Sequence, residues 1–242
     1  MTKLIICNWK MNLGGQDSIE FLTQIDMGPS NKGNKFILCP PYTSLGLVAN
    51  HLKNKGADWY LGAQNCSDQD KGARTGDVSA IMLKNLGCGY IILGHSERRQ
   101  HHQESNESVK AKAVKAITHD MMPIICVGET KDDYNNKKTI DVLKKQLAGS
   151  VSSKQCIVAY EPVWAIGTGK VATLEEIENV HQNIDAILRE LGFANIPIVY
   201  GGSVKSDNID QILSQPTVSG VLIGGASIQP ESMNAIARKV CL

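Results

Sequence analysis

The chain has 242 residues, of which 42% are apolar and 20% charged, a composition typical of a globular protein with an ample core. Its 25 lysines and arginines nearly balance its 24 aspartates and glutamates, so no basic excess favours binding to nucleic acid. No apolar run approaches the roughly 18 residues of a membrane-spanning helix, so we also expect no membrane partner.

Eight short apolar runs recur along the chain at fairly regular intervals. Within each run the apolar residues are continuous rather than alternating, which indicates strands buried on both faces. The predicted strands cover residues 4–7, 36–39, 59–63, 90–93, 122–127, 156–160, 196–200 and 218–223.

Amphipathic segments between these runs predict helices. The clearest covers residues 174–191, where apolar side chains recur every three or four positions. A capping box formed by Thr173 and Glu176 begins this helix, and Gly192 ends it. Two further helices are predicted at residues 110–119 and 141–147.

The alternation of strands and helices predicts an α/β fold with a parallel sheet and right-handed crossovers. Eight strands with no interdomain linker favour a closed (β/α)8 TIM barrel, a single domain over residues 1–242. The alternative is an open, doubly wound sheet, which would normally carry a glycine-rich turn after its first strand. This chain has Asn8-Trp9-Lys10 there, which argues against dinucleotide binding.

Polar residues follow the first and fourth predicted strands, at the end of a barrel where active sites lie. Asn8 and Lys10 follow the first strand, and a lysine at this position points into the mouth of the barrel. Gly94 and His95 follow the fourth, which places an imidazole for acid–base or electrophilic chemistry. Glu97 is well suited to pair with a nearby lysine or arginine. Each residue alone could be structural or solvated, but the cluster favours function.

Glu161 comes directly after the sixth predicted strand, between Tyr160 and Pro162. This crowded position predicts partial desolvation, which raises the pKa of a carboxyl group and makes it a stronger base. A surface glutamate at a strand end is the alternative interpretation of this residue taken alone.

Two double-glycine turns follow the last two predicted strands, at Gly201-Gly202-Ser203 and Gly224-Gly225. Each is predicted to enter a helix, so that bare backbone N–H groups and the helix dipole favour an anion. Barrels often bind phosphate at the loops after strands 7 and 8. The pair therefore predicts a phosphate site, with ordinary tight turns as the alternative.

These groups together predict a small phosphorylated substrate that faces a lysine, a histidine and a glutamate. The sequence has no metal-binding or nucleotide-binding motif, so we expect no cofactor and no metal. Moving a proton between adjacent carbons of a sugar phosphate needs a base and groups that stabilise the enediolate oxygen. Glu161 suits the first role, and His95 and Lys10 suit the second.

Residues 159–170, Ala-Tyr-Glu-Pro-Val-Trp-Ala-Ile-Gly-Thr-Gly-Lys, are similar almost residue for residue to the lid segment of the triosephosphate isomerase family. The resemblance runs from residue 4 to the carboxyl terminus, in order and at family spacing, and its motifs are highly specific together. The other matching motifs are residues 8–11, 39–43, 64–65, 95–99, 126–130, 200–204 and 224–227.

The resemblance implies reversible interconversion of dihydroxyacetone phosphate and D-glyceraldehyde 3-phosphate without a cofactor. This reaction belongs to glycolysis and gluconeogenesis, and triose phosphates also connect to the pentose shunt. Glu161 would shuttle the proton between the two carbons, and a neutral His95 would polarise and protonate the substrate oxygens. Lys10 and Asn8 would bind the oxyanion, and Glu97 would support Lys10.

The resemblance also implies a lid after the sixth strand that closes over the phosphate. The backbone amides of Gly167, Ser203, Gly224 and Gly225 would bind that phosphate. Ile166 and Leu222 correspond to the apolar clamp that desolvates the catalytic glutamate on closure. The other expected lid residues are Pro162, Val163, Trp164, Thr168, Gly169 and Lys170, with Tyr200 and Ser203 holding the closed lid.

The family forms a homodimer in which the third loop, here residues 64–79, enters the partner near its active site. Arg74 stands where the usual pattern has an aromatic residue, and Asp77 stands where it has a glutamate. The shorter Asp77 is still expected to meet Arg98, with altered reach. The expected interface residues are Thr75, Gly76, Asp77 and Arg98.

The seven cysteines are odd in number and include no Cys-x-x-Cys pair. Four of them, Cys7, Cys39, Cys126 and Cys156, lie in the apolar strand-like runs. Buried, reduced thiols are typical of cytosolic proteins, so we expect a cytoplasmic location. The apolar run at the amino terminus is also too short for a secretion signal.

Two other functions stay open at this point. One is a different cofactor-free isomerase acting on a related sugar phosphate, which would need a more open pocket than Ile166 and Leu222 suggest. The other is a non-enzymatic barrel with a binding role, which the loss of a catalytic position would favour. All of those positions are present.

Overall fold

The computed structural model describes residues 2–28, 33–53, 58–165 and 171–241. Eight parallel strands form a closed barrel in chain order, with the last strand paired to the first. The closed barrel confirms the predicted fold class and rules out the open sheet. The strands are β1 (Leu4–Asn8), β2 (Lys35–Cys39), β3 (Trp59–Ala63), β4 (Tyr90–Leu93), β5 (Met122–Val127), β6 (Ile157–Tyr160), β7 (Ile198–Tyr200) and β8 (Gly220–Ile223).

Helices cover the outside of the barrel, and short 3-10 helices occur at Tyr42–Ser44, Val163–Ala165 and Gly225–Ile228. No helix in the described ranges has the length and apolar character that crossing a membrane requires. The α-helices of the described ranges are α1 (Gln16–Gln24), α2 (Leu45–Leu52), α3 (Ala80–Asn85), α4 (Ser96–His102), α5 (Asn106–Thr118), α6 (Lys131–Asn135), α7 (Thr139–Ser150), α8 (Leu174–Glu190), α9 (Ile209–Leu213) and α10 (Pro230–Cys241).

The boundaries of α8 follow from the predicted capping residues. The Thr173 hydroxyl accepts a hydrogen bond from the Glu176 amide at 3.1 Å, and the Glu176 carboxylate accepts one from the Thr173 amide at 2.7 Å. Gly192 follows the helix with φ of 84°, a left-handed conformation that favours glycine. Helix α5 begins earlier than predicted because Ser105 caps it, accepting from the Ser108 amide at 3.2 Å.

Alternate residues of the strands fill the inside of the barrel. Because side chains alternate between the two faces of a strand, the next inward positions at the carboxyl ends are Asn8, Glu161, Gly201 and Gly224. The same alternation of side chains that builds the interior of the barrel therefore also places these four residues in its mouth. The interior residues are Ile6, Ile37, Cys39, Ile92, Ile124, Cys126, Ile157, Ala159, Val199 and Leu222.

A second, larger apolar core lies between the strands and the surrounding helices. Trp9 is fully buried in it and packs edge-on against Phe21 of α1, with ring centroids 5.2 Å apart. Asn8 and Lys10, on either side of Trp9, line the mouth of the barrel instead. Six of the seven cysteines are buried, among them the four that the sequence predicted to lie buried in strands.

His181 of α8 is fully buried, and burial lowers its pKa to about 4. The unfolded chain binds a proton near pH 6.5 and the folded chain only near pH 4, so stability falls as the pH drops through this interval. Between pH 7 and pH 5 this histidine should account for about 2 kcal/mol of lost stability. We therefore expect His181→Leu to show a smaller loss of unfolding free energy than the wild type between these pH values in urea titrations. An equal loss in both proteins would show that His181 has the same pKa in the folded and unfolded chains.

Candidate active site

A cavity of about 560 Å³ opens at the carboxyl end of the barrel, where the sequence predicted the chemistry. It gathers residues that follow five different strands, because the carboxyl ends of parallel barrel strands meet at one rim. Among the described residues that line it are Asn8, Lys10, His95, Glu161, Ser203, Leu222, Gly224 and Gly225. The structure thus brings together the predicted catalytic residues and the two glycine turns, with Glu97 just outside the cavity lining.

Lys10 is held in a backbone conformation that non-glycine residues seldom adopt, with φ of 52°. Its amide donates to Asn8 Oδ1 at 3.0 Å, and its carbonyl accepts from Gln64 Nε2 at 2.8 Å. Its ammonium lies 2.5 Å from the Glu97 carboxylate, which confirms the predicted pairing of Glu97 with a nearby cation. Such a conformation costs of order 1–3 kcal/mol and persists only where its surroundings fix it. The role of Gln64 as a support was missed because it depends on contacts between distant loops.

His95 stands at the amino-terminal end of α4 and is 6% exposed. Its Nδ1 accepts a hydrogen bond from the Glu97 amide at 3.2 Å, and its Nε2 lies 2.9 Å from Glu161 Oε1. Because Nδ1 is an acceptor, the ring proton belongs on Nε2, which faces the cavity. The imidazole is thereby oriented as a donor.

Glu161 is 2% exposed and lies at the end of β6. Its Oε2 accepts from the Ser96 amide at 2.9 Å. Burial raises the pKa of this carboxyl, but the His95 ring and the Ser96 amide outweigh it and hold the pKa below its usual range. Burial lowers the pKa of His95, but the Glu161 carboxylate outweighs it and raises the pKa above its usual value.

The raised pKa expected for Glu161 is therefore wrong, because the pKa is lowered. The sequence indicated the desolvation correctly, but it gave no sign that two hydrogen-bond donors would stabilise the charged form. Those partners follow a different strand, more than sixty residues earlier in the chain.

Two glycines lie where the backbone passes close to Glu161. A Cβ at Gly201 would lie 3.0 Å from Glu161 Cγ, and one at Gly128 would lie 1.8 Å from the Glu161 carbonyl oxygen. A side chain at Gly128 would force the Glu161 backbone to move, and one at Gly201 would crowd the Glu161 side chain. These glycines therefore leave the space that Glu161 occupies, apart from any role in binding a ligand.

The second double-glycine turn lies against Lys10, since a Cβ at Gly224 would be 3.2 Å from Lys10 Cε. The Ser227 hydroxyl fixes this turn by donating to the carbonyls of Ile223 and Gly224 at 3.1 and 2.8 Å. The prediction that each turn enters a helix directly is wrong for the first turn. Helix α9 begins only at Ile209 and is five residues long, because Asn208 closes an intervening turn.

The beginning of the predicted lid is held by a residue that the sequence analysis did not single out. Pro162 leads into the 3-10 helix that contains Val163 and Trp164. The Trp164 ring nitrogen donates to the Glu129 carboxylate at 2.7 Å, and the Tyr160 hydroxyl lies 3.2 Å from the same oxygen. Five predicted lid residues lie outside the described residues: Ile166, Gly167, Thr168, Gly169 and Lys170.

Leu222 of β8 lines the cavity, whereas Tyr200 of β7 belongs to the apolar core between the strands and the helices. A Cβ at Gly201 would lie 3.6 Å from Leu222 Cδ2 as well as 3.0 Å from Glu161 Cγ. Leu222 therefore lies beside the Glu161 carboxylate. Tyr200 is fully buried, and burial raises its pKa to about 12.

The predicted interface residues lie on a neighbouring part of the surface. Thr75 and Gly76 are exposed. Asp77 accepts from the Ser67 hydroxyl at 2.8 Å, and Arg98 pairs with Glu104 at 3.2 Å. Asp77 and Arg98 line the same surface cavity, yet within one chain each has a different partner. Their pairing stays a prediction for the dimer.

Glu104 connects the His95 loop to the outer helices. Its side chain is 2% exposed, accepts from the Gly94 amide at 3.1 Å, and pairs with both Arg98 and Lys112. Burial raises the pKa of Glu104, but Lys112 and Arg98 outweigh it and hold the pKa below its usual range. The stabilisation is therefore present above the usual pKa of a glutamate and is lost as the pH falls below it.

Replacing Glu104 with glutamine should lower the free energy of unfolding by about 3 kcal/mol at pH 7, because Lys112 would be left as a buried, uncompensated charge. Denaturant unfolding of the purified variant measures this loss. Glu190→Gln, on the exposed surface of α8, is the matched control and should change stability by less than about 0.5 kcal/mol. Equal stability of the two variants would contradict the account of this network.

The fold and this cluster of acid–base groups define a (β/α)8-barrel enzyme. A sequence model described as triosephosphate isomerase matches residues 3–240 of the chain. The chain is 42% identical to triosephosphate isomerase of Polynucleobacter asymbioticus, covering 97% of this chain and 98% of that protein. It is 43% identical to triosephosphate isomerase of Acidiphilium cryptum, covering 98% of each.

A crystal structure of triosephosphate isomerase from Bartonella henselae superposes with a TM-score of 0.88 at 38% sequence identity, covering 98% of both chains. The chain therefore belongs to the triosephosphate isomerase family, and it is an isomerase.

Proposed function

We propose that this protein interconverts dihydroxyacetone phosphate and D-glyceraldehyde 3-phosphate through an enediolate, as a step of glycolysis and gluconeogenesis. The observation that carries the proposal is the arrangement of Glu161 and His95. A buried carboxylate and an imidazole N–H lie 2.9 Å apart, in a cavity that the two glycine turns also line. A base and an acid that share one small site can act on adjacent atoms of one substrate.

The reaction begins when Glu161 removes a proton from the carbon next to the carbonyl group. The electron pair of that C–H bond forms the carbon–carbon double bond of the enediolate, and the carbonyl oxygen becomes negatively charged. His95 Nε2–H donates to this oxygen, and the Lys10 ammonium stabilises its charge. His95 Nε2 gives its proton to this oxygen and takes the proton of the neighbouring hydroxyl group, so the negative charge moves to that second oxygen. Glu161 then returns its proton to the former carbonyl carbon, and the other carbon becomes the new carbonyl carbon. The Asn8 side chain orients Lys10 by accepting a hydrogen bond from the Lys10 backbone amide, and Glu97 holds the Lys10 ammonium in place.

Substrate binding should restore the basicity of Glu161. The His95 ring and the Ser96 amide lower its pKa in this structure. When a substrate oxygen accepts the hydrogen bond from His95 Nε2–H, the Glu161 carboxylate loses that stabilising partner while it stays buried. Desolvation then acts with less opposition and raises the pKa, which makes the carboxylate a stronger base when the substrate is present.

The phosphate is assigned to the amides of Ser203, Gly224 and Gly225, with Gly167 joining them from the lid. The lid covers residues 162–170, and its closure would bring Ile166 towards Leu222 over the carboxylate. Tyr200 and Ser203 would hold the closed lid. The family resemblance supports these assignments, as does the position of Leu222 beside Glu161.

An isotope experiment tests the proposed reaction. Starting from dihydroxyacetone phosphate in D₂O, the product should carry solvent deuterium at C2, because the proton on Glu161 exchanges with solvent. Nuclear magnetic resonance of the aldehyde, trapped by oxidation, measures the incorporation. Complete retention of substrate hydrogen at C2 would indicate a hydride shift and would contradict a role for Glu161 as a shuttle.

We also infer that the protein is a homodimer through loop 64–79 and α4, with Thr75, Gly76, Asp77 and Arg98 at the interface. Met11, beside the catalytic Lys10, is 95% exposed in the single chain, and Met82 of α3 is 52% exposed. Exposed apolar side chains of this kind favour a surface that a partner subunit covers. Sedimentation equilibrium should give twice the mass of the chain, and a monomer at micromolar concentration would contradict the inference. The buried free thiols support a cytoplasmic location.

A further inference from the structure

The candidate active-site cavity extends beyond the two glycine turns. Lys205, Gln229 and Ser232 line the same 560 Å³ space as Ser203 and Gly225. We refer to these three residues as the outer lobe. The proposed isomerisation uses none of them.

The backbone of the outer lobe is fixed beside the phosphate turn. The Lys205 amide donates to Asn208 Oδ1 at 2.8 Å, and Asn208 Nδ2 donates to the Ser203 carbonyl at 3.0 Å. One side chain therefore closes the segment that joins Ser203 to Lys205. This arrangement keeps a lysine next to a residue that is assigned to the phosphate.

The charged side chains that line the cavity differ in whether they have an ion-pair partner. Lys10 is paired with Glu97 at 2.5 Å, and Glu161 is paired with His95 at 2.9 Å. Lys205 lines the cavity with no ion pair to any described residue. The outer lobe itself contains no carboxylate, and its glutamine and serine carry hydrogen-bond donors. The outer lobe therefore favours an anion.

We propose that the outer lobe binds the second anionic group of a ligand whose first phosphate occupies the glycine turns. The inference rests on the proposed phosphate site. Its ligands are small compounds with two adjacent anionic groups, such as diphosphates, and they compete with the substrate for the cavity. Lys205 supplies the charge, and Gln229 and Ser232 supply hydrogen bonds.

Titration calorimetry with inorganic phosphate and with pyrophosphate tests this proposal. The wild type should bind pyrophosphate more tightly than phosphate. Lys205→Gln should weaken pyrophosphate binding by about three- to fivefold, the size expected for one exposed charge pair, and weaken phosphate binding much less. The control is Lys144→Gln, an exposed lysine of α7, which should leave both affinities unchanged.

Three results would overturn the proposal that the outer lobe binds a second anionic group. One is an equal ratio of the two dissociation constants in the wild type and in Lys205→Gln. Another is an equal loss of pyrophosphate binding in both lysine variants, which would reveal only a general charge effect. The third is no preference for pyrophosphate in the wild type. If the wild type turns over triose phosphate and one of these results is found, the outer lobe fails while the proposed function stands. Absent turnover with tight phosphate binding would instead refute the proposed function.

Discussion

Glu161→Gln is expected to lower kcat by about a thousandfold, within the range that removal of a general base produces. The amide is nearly the same size as the carboxylate and can still accept from the Ser96 amide or from His95, so the geometry of the site should change little. It cannot accept a proton from carbon at neutral pH. The loss should therefore appear in kcat, with a small effect on KM. Steady-state kinetics in both directions measure it.

Thermal unfolding and circular dichroism of the same variant separate chemistry from folding. Glu175→Gln, at the exposed start of α8, is the matched control and should retain wild-type kinetics. Glu161→Asp withdraws the carboxylate by one methylene, so we expect a severe but smaller loss there. A folded Glu161→Gln variant with kcat within tenfold of the wild type would remove Glu161 from the reaction.

Lys10→Met is expected to lower kcat/KM by about two to three orders of magnitude, the effect of losing one stabiliser of a developing oxyanion. Methionine carries a Cβ and has a similar length, so the cost of the left-handed backbone at this position is the same in both proteins. Glu97 loses its cation, but its side chain is 44% exposed and remains solvated. Stability should therefore change little while activity is lost.

Two further variants sharpen this test. Lys144→Met removes an exposed lysine of α7 and should leave kcat/KM unchanged. Lys10→Arg retains the charge and should recover part of the activity if electrostatic stabilisation is the role of Lys10. Normal kinetics in Lys10→Met would show that the ammonium is not needed, and unfolding of that variant would show that the lysine is structural.

Much of the fold could be predicted from the sequence because the patterns that mark its strands and helices lie within short stretches of the chain. Each strand is a continuous apolar run, and the capping box at Thr173 is complete within four residues. The strand period also carries Asn8 and Glu161 onto the inner face at the mouth, so strand ends indicated the site. The family resemblance added the prediction of a lid and of an apolar clamp.

What the sequence could not provide are contacts between loops that are distant in the chain. The pKa of Glu161 is set by its hydrogen bonds to residues 95 and 96, which its own neighbours in sequence do not reveal. The Glu129 contact with Trp164 and the Glu104 network depend equally on tertiary placement. The sequence predicted the residue types at the strand ends but not the pairs that they form.

The measurement that tests the central claim most directly is conversion of D-glyceraldehyde 3-phosphate to dihydroxyacetone phosphate by the purified wild type, with EDTA present. Glu161→Gln is assayed beside it at equal concentration. The account predicts fast turnover by the wild type in EDTA and near-complete loss in the variant. A folded wild type with no turnover, or a variant as fast as the wild type, would contradict it.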